Sequence, residues 1–146
     1  RKYSYLCMVR YPKSIAYGFK IEPGLEEMII PKFTLQPLVE NYFVHGVDHK
    51  RKDNVISIKV RRVGEAVEIR VQENGRGMEP SQLQRIQQIL SHRDPREEVE
   101  ESKERQSIGI VNVHERFLLY FGDRYHIQIT SEKGKGVLYT ITIEDT

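Results

Sequence analysis

Cysteine is nearly absent. Cys7 is the single one among 146 residues, which excludes an internal disulfide, and no Cys/His pattern with metal-ligand spacing is present. A reducing compartment fits. An excess of one charge is also missing. Lys+Arg 23 against Asp+Glu 21 leaves a formal net charge of +2, whereas nucleic-acid-binding domains carry a clustered basic face, so no nucleic-acid partner is expected. No apolar run approaches the ~18 residues of a membrane span, and no signal peptide is visible, so no direct membrane insertion is expected. There is no internal repeat and no low-complexity tract. What is there is a chain with 38% hydrophobic and 30% charged residues, long enough for one globular domain with a real core. It opens on Arg1, and a piece of a longer protein is expected.

The spacing of Tyr3, Leu6, Val9 and Arg10, stopped by Pro12, predicts the tail of a helix entering from upstream over 1–12. Ser14 to Ile21 reads as a strand and 22–24 (EPG) as a turn. From Thr34 to His49, Leu35, Leu38, Val39, Tyr42 and Gly46 share one helical face. Thr34 is the candidate N-cap, and Pro37 lies in the first turn, where its missing N–H costs nothing. Asn41 and His45 lie one turn apart on the edge of that face. Two alternating runs, Ile56–Val60 and Val67–Val71, flank Gly64 and predict an antiparallel hairpin. Pro80 to Leu90 reads as a second helix with Pro80 at its first position. The charge-dense stretch Ser91–Ser107 reads as a long solvated loop. A third helix over Ile108–Phe121 and two strands around the glycine turn at 132–136 complete the chain. The fold class is α+β: a two-layer α/β sandwich, its mixed, mostly antiparallel sheet of four or five strands packed on three helices.

Three places carry candidate chemistry: LVEN in the first helix, VQENGRGM at 71–78, and SIGIVN at 107–112. Singly each is ordinary. An Asn-Gly pair after a strand is the commonest hairpin turn. An Asn beside an apolar stripe is most often a hydrogen-bonded core residue, a glycine near a helix start is a routine turn, and a charged run is usually a loop.

Together and in this order they resemble the ATP-binding domain of the superfamily uniting gyrase, heat-shock chaperones, histidine kinases and mismatch-repair ATPases, the Bergerat fold. The closer similarity is to the catalytic domain of sensor histidine kinases of the LytS/YesM type. IPKFTLQPLVENYFVHG looks like that group's N box, VQENGRGM like its first glycine box, and SIGIVNVHERFLLYFG like its second with the following helix. The resemblance runs from about Arg10 to Ile143. It implies a kinase domain at 13–146 with an ATP lid at about 91–107.

The chemistry of each position agrees with the resemblance. Mg²⁺ takes hard oxygen ligands beside phosphates and water, and the resemblance gives that role to Asn41. It makes Glu40 the adjacent acid that acts as base or orients water, and brings His45 toward the phosphates. Glu73 matches the acid that accepts the adenine amino hydrogen bond. Gly75 and Gly77 let backbone approach the base, with Asn74 and Met78 lining the same pocket. Gly109 is expected to open the third helix, whose N-terminal N–H groups suit phosphate; Ser107 and Asn112 belong to the same wall. Arg93, Arg96, Lys103 and Arg105 of the lid are cations able to meet phosphates when it closes, although the resemblance singles out none of them. Three departures stand out. Val44 replaces a lysine common in relatives, Ser107 stands where many carry glycine, and the adenine acid is Glu where the pattern has Asp, adding ~1.5 Å of reach.

The resemblance therefore implies a protein-histidine kinase domain using ATP and Mg²⁺. It passes the γ-phosphate to a histidine on an upstream dimerisation domain, with a response regulator downstream. It implies a cytoplasmic domain of a membrane-anchored bacterial protein. The acceptor motif is absent from these residues, so autophosphorylation in isolation is not expected. The alternative from another class is a degenerate, non-catalytic interaction module of the same fold. A third reading, a chaperone-type or mismatch-repair-type ATPase, fits the HERFLLYFG helix less well.

Overall fold

The computed structural model describes residues 5–10, 15–25, 35–42, 46–47, 53–91 and 105–144. The two runs around Gly64 form the expected hairpin: β3 (Asn54–Val63) and β4 (Ala66–Glu73) pair antiparallel, Val63 opposite Ala66. Ile56, Ile58 and Val60 of β3 and Val67, Ile69 and Val71 of β4 are buried. The residues between them are exposed or half-buried, as period 2 requires of a sheet covered on one face. Each such side chain contributes roughly 1.5–3 kcal/mol when fully buried.

β6 (Gly136–Glu144) pairs antiparallel with β4, and β5 (Tyr125–Glu132) with β6. On the other flank β2 (Ile15–Ile21) runs parallel to β3, and β1 (Tyr5–Arg10) closes the edge antiparallel to β2. The sheet order is β1-β2-β3-β4-β6-β5. Among the described residues β2–β3 is the single parallel pair. Parallel neighbours cannot be joined by a tight turn, so the chain crosses over between them, and α1 (Gln36–Asn41) lies on that crossover.

α2 (Pro80–Leu90) starts on its proline as expected and buries Ile86 and Leu90. The Gln87 side-chain amide donates to the Ile129 carbonyl at 3.2 Å, tying the helix to β5. α3 (Arg105–Phe121) buries Ile110, Val113, Phe117 and Leu118, and Phe117 packs against Tyr125. The buried His114 ring shares a 2.9 Å hydrogen bond with the Tyr125 hydroxyl. α3 in turn packs against α1 and α2.

Four expectations are corrected. Residues 5–10 are a strand, not a helix tail, so the sheet has six strands rather than four or five. α3 begins at Arg105, three residues before Ile108, so the end of the charged stretch is helix rather than loop. α1 is helical from Gln36, with Leu35 in the cap position and no side-chain cap. Past Asn41 the helix widens: the Val47 N–H reaches back five residues to the Tyr42 carbonyl at 3.0 Å, a bond of π type. Thr34, Val44, His45, His49 and the lid residues 92–104, including Arg93, Arg96 and Lys103, lie outside the described residues. Among the described residues no helix is long and apolar enough to cross a membrane.

Candidate functional site

Glu73 ends the buried row of β4, two residues beyond Val71 and on the same face. It is 6% exposed. Its Oε1 accepts the Gly75 N–H at 2.7 Å, and the Val137 N–H of β6 donates to the same carboxylate. The longer glutamate side chain thus folds back onto the loop that follows it. Both donors favour the ionised form, yet loss of water outweighs them, and burial pushes the carboxyl up to about 7.

Two glycines make room for this carboxylate. A Cβ on Gly46 would stand 3.0 Å from Glu73 Oε2 and 3.1 Å from the Tyr42 ring. A Cβ on Gly75 would run into the Gly46 carbonyl oxygen and come within 3.0 Å of Glu73 Oε1. The Arg76 N–H donates to that same Gly46 carbonyl at 2.7 Å. The first glycine loop therefore seats directly on the turn that ends α1.

Its far side is fastened to the β5–β6 turn. The Met78 N–H donates to Ser131 Oγ at 2.9 Å, and the Ser131 hydroxyl donates to the Gly136 carbonyl at 2.7 Å. The Gly134 N–H donates to the Arg76 carbonyl at 2.6 Å. Gly77, at φ +74°, lies so close to the Glu132 carbonyl that no side chain fits. Ser131→Ala removes an acceptor and a donor at once. A loss of about 1–2 kcal/mol is expected, and urea unfolding monitored by circular dichroism checks it, with faster amide exchange at Met78 as the local signature.

Asn41 closes the other end of the site. Its carboxamide lies against α3: a Cβ on Gly109 would stand 3.1 Å from Asn41 Oδ1 and 3.2 Å from Nδ2. It is hydrogen-bonded to the hydroxyl of Tyr139, a buried β6 residue whose phenol is pushed up by burial and by the neighbouring Glu73 charge. Asn41, Glu73 and Gly109, one from each sequence motif, are thus brought to one place between α1, α3 and β6.

The other expected residues are placed less centrally. Glu40 is exposed and Asn112 is exposed on α3. Met78 is buried in the hydrophobic core. Asn74 is a backbone clamp: its Oδ1 accepts the Val55 N–H at 2.9 Å and its Nδ2 donates to the Asp53 carbonyl at 2.7 Å. Gly109 does not open α3, which starts four residues earlier; it is the gap that admits Asn41. Ser107 falls in the first turn of α3, and its side chain lies outside the described residues, as does His45. Tyr139, Gly46, Ser131 and Gly136 were not anticipated. A signal for Tyr139 existed, since it is in phase with Val137, Ile141 and Ile143, and a buried phenol needs a partner for its hydroxyl.

Residues 32–146 match the family described as histidine kinase-, DNA gyrase B-, and HSP90-like ATPase. The chain belongs to this ATPase family. Among curated relatives of the ATPase-family domain is the sensor histidine kinase YesM of Bacillus subtilis, 30% identical over 98% of this chain and 22% of that protein. The sensor protein LytS of Streptococcus mutans is 31% identical over 95% of this chain and 22% of its own length. The sensor histidine kinase YpdA of Escherichia coli is 34% identical over 68% of this chain and 15% of its length. The chain thus spans a quarter or less of these relatives. The solved catalytic domain of histidine kinase ThkA superposes with a TM-score of 0.55 at 15% identity, covering 90% of this chain and 80% of that one. The architecture is the α+β Bergerat fold that the resemblance implied.

Among the described residues no group of three or more His, Cys, Asp or Glu side chains is placed to hold a metal ion. Asn41 contributes one neutral carboxamide, and Mg²⁺ ordinarily completes its octahedron with phosphate oxygens and water.

Proposed function

We propose that this domain binds ATP with Mg²⁺ and presents the γ-phosphate to a histidine on another domain of a longer chain, as a protein-histidine kinase. The observation that carries the reading is the convergence of Asn41, Glu73 and Gly109 from three separate motifs onto one site. In this reading Glu73 accepts the adenine amino hydrogen and Gly75 and Gly77 admit the base. Asn41 would hold Mg²⁺, which neutralises phosphate charge as the phosphoryl group moves. The lid at about 91–107, His45 and Ser107 complete the phosphate side. Glu40 is the candidate base or water-orienting acid, and Asn74, Met78 and Asn112 support the pocket. An upstream dimerisation and phosphoacceptor domain of the longer chain and a downstream response regulator are the partners. The domain works in the cytoplasm of a membrane-anchored bacterial sensor.

The second reading, a non-catalytic interaction module, draws on one observation: the Glu73 carboxylate is already engaged by the Gly75 and Val137 N–H groups. Calorimetric titration with Mg²⁺ and a non-hydrolysable ATP analogue separates the two. Binding is expected for the native chain, binding at least as tight for Glu73→Asp, and binding at least ten-fold weaker for Glu73→Ala, about 1.4 kcal/mol or more. Asn41→Asp is expected to change the Mg²⁺ dependence. No heat from the native chain at millimolar analogue favours the interaction module.

A further inference from the structure

We propose that the open face of the sheet docks an acidic helix of a partner protein, recognised by a row of three cations, Lys20, Lys59 and Arg70, that crosses β2, β3 and β4. The proposal does not rest on the nucleotide reading, because the row lies on the face of the sheet opposite to the one that carries Glu73.

Strand phase and register build the row. Ile58 and Val60 are buried, so Lys59 between them belongs to the other face, and it is exposed. Lys59 is the partner of Lys20 in the parallel β2–β3 ladder and of Arg70 in the antiparallel β3–β4 ladder. Lys20 is exposed and Arg70 half-buried. Neighbouring strands lie about 4.8 Å apart, so the three side chains are rooted along a line of about 10 Å. Like charges directly opposite each other on a sheet face are destabilising. This fold carries two such pairs side by side.

The acids nearest the row are engaged elsewhere. Glu68, two residues before Arg70 on the same face, accepts a hydrogen bond from Arg61 Nε at 2.9 Å. Glu22, two residues after Lys20, accepts the Arg62 N–H at 3.1 Å. Arg70 Nε is shut off from solvent with no hydrogen-bond partner among the described residues. Beyond Arg70 the row continues as Thr140 of β6 and Gln128 of β5, which offer hydrogen-bonding groups and no charge. The three cations therefore form a stripe that its own fold leaves unneutralised.

What flanks the stripe sets the shape of the partner. Glu22 and Glu68 both stand beside Arg61, on one side of the row. A flat anionic surface, such as a lipid bilayer, would meet these acids together with the cations. A narrow rod meets the row alone. On a helix, carboxylates at i, i+4 and i+8 make a single stripe with about 5–6 Å between neighbours, close to the spacing of the strands. Isolated surface ion pairs contribute little, whereas several charges in one network contribute more. Complementary stripes also fix the direction in which the two elements cross.

The probe is an alanine-based helical peptide with glutamates at i, i+4 and i+8, titrated into the chain as it stands and mapped by amide chemical shifts. The control peptide has the same composition with its glutamates spread around the helix. The aligned peptide is expected to shift Lys20, Lys59, Arg70 and Thr140 and to bind at least about ten-fold more tightly than the control. Its binding is expected to weaken as salt rises above about 0.1 M, where the screening length is about 10 Å. Lys59→Glu is expected to abolish the binding with no fall in melting temperature, because it relieves two like-charge pairs. Lys59→Gln, which removes the charge alone, is expected to weaken it.

The proposal is overturned if the two peptides bind alike, or if millimolar aligned peptide shifts none of these residues. It is overturned too if both Lys59 variants melt below the native chain, which makes the row structural. Binding of phosphatidylserine vesicles through the same residues, in place of the peptide, assigns the row to a membrane and equally overturns it.

Discussion

Glu73→Gln should remove a pH dependence of stability that the native domain carries. The Glu73 carboxyl is raised from 4.5 to about 7 by burial. Between those values the unfolded chain has released the proton while the folded chain keeps it. The unfolded state then binds fewer protons, so folding stability falls as pH rises. The contribution is fully present below about 4.5 and is lost once pH passes about 7. Two and a half pKa units correspond to about 3 kcal/mol. Urea unfolding of both proteins at pH 4.5, 5.5, 6.5 and 8 is expected to show the glutamine form gaining on the native form by up to about that amount, with equal m-values. Groups common to both proteins cancel in the difference. A constant difference across the series would mean that the carboxyl is not held in a water-poor site.

The second large effect is expected at Gly136. This residue adopts φ +101°, and a Cβ there would run into the Glu73 carbonyl oxygen and stand 2.8 Å from Asn74 Cα. Gly136→Ala combines a backbone conformation costing about 1–3 kcal/mol with overpacking against main chain, about 1–3 kcal/mol more. Gly134, two residues earlier, is the control: its φ is +85°, but a Cβ would meet nothing within 4 Å. Gly134→Ala should cost only the backbone part, about 1–3 kcal/mol. Thermal unfolding of the pair separates lack of space from conformational freedom. The Gly136 variant should also weaken nucleotide binding, because the backbone it displaces is that of Glu73 and Asn74.

The motifs were legible because each needs particular residue types in short, fixed order. The strand phase was legible too: Val67, Ile69 and Val71 alternate inward, and the same count of two places Glu73 on the covered face. The order of strands was not, because nothing local to β6 says that β4 is its neighbour, and Tyr139 meets Glu73 and Asn41 only through that pairing. The misreading at 5–10 has a similar origin. Tyr3, Leu6, Val9 and Arg10 have helical spacing, but β2 offers an edge of backbone donors and acceptors, and pairing from Tyr5↔Ile21 to Arg10↔Ala16 satisfies them. At α3 the error was one of composition. Arg105 and Gln106 were assigned to a loop by their polarity, yet both are good helix formers. The helix therefore starts earlier, and Gly109 lies inside it facing Asn41.

The 75–78 loop carries a consequence for how this domain acquires its site. The loop is anchored to Gly46 on one side and to Ser131 and Gly134 on the other, and the Met78–Ser131 bond alone spans 53 positions in the chain. Contacts so distant in sequence form only after the intervening chain has closed on itself, which makes them slow to assemble. A growing polypeptide cannot build this pocket until β5 and β6 have emerged and docked beside β4. Competence to hold a nucleotide would then arrive late in synthesis, as a property of the completed sheet rather than of the loop whose glycines announce it.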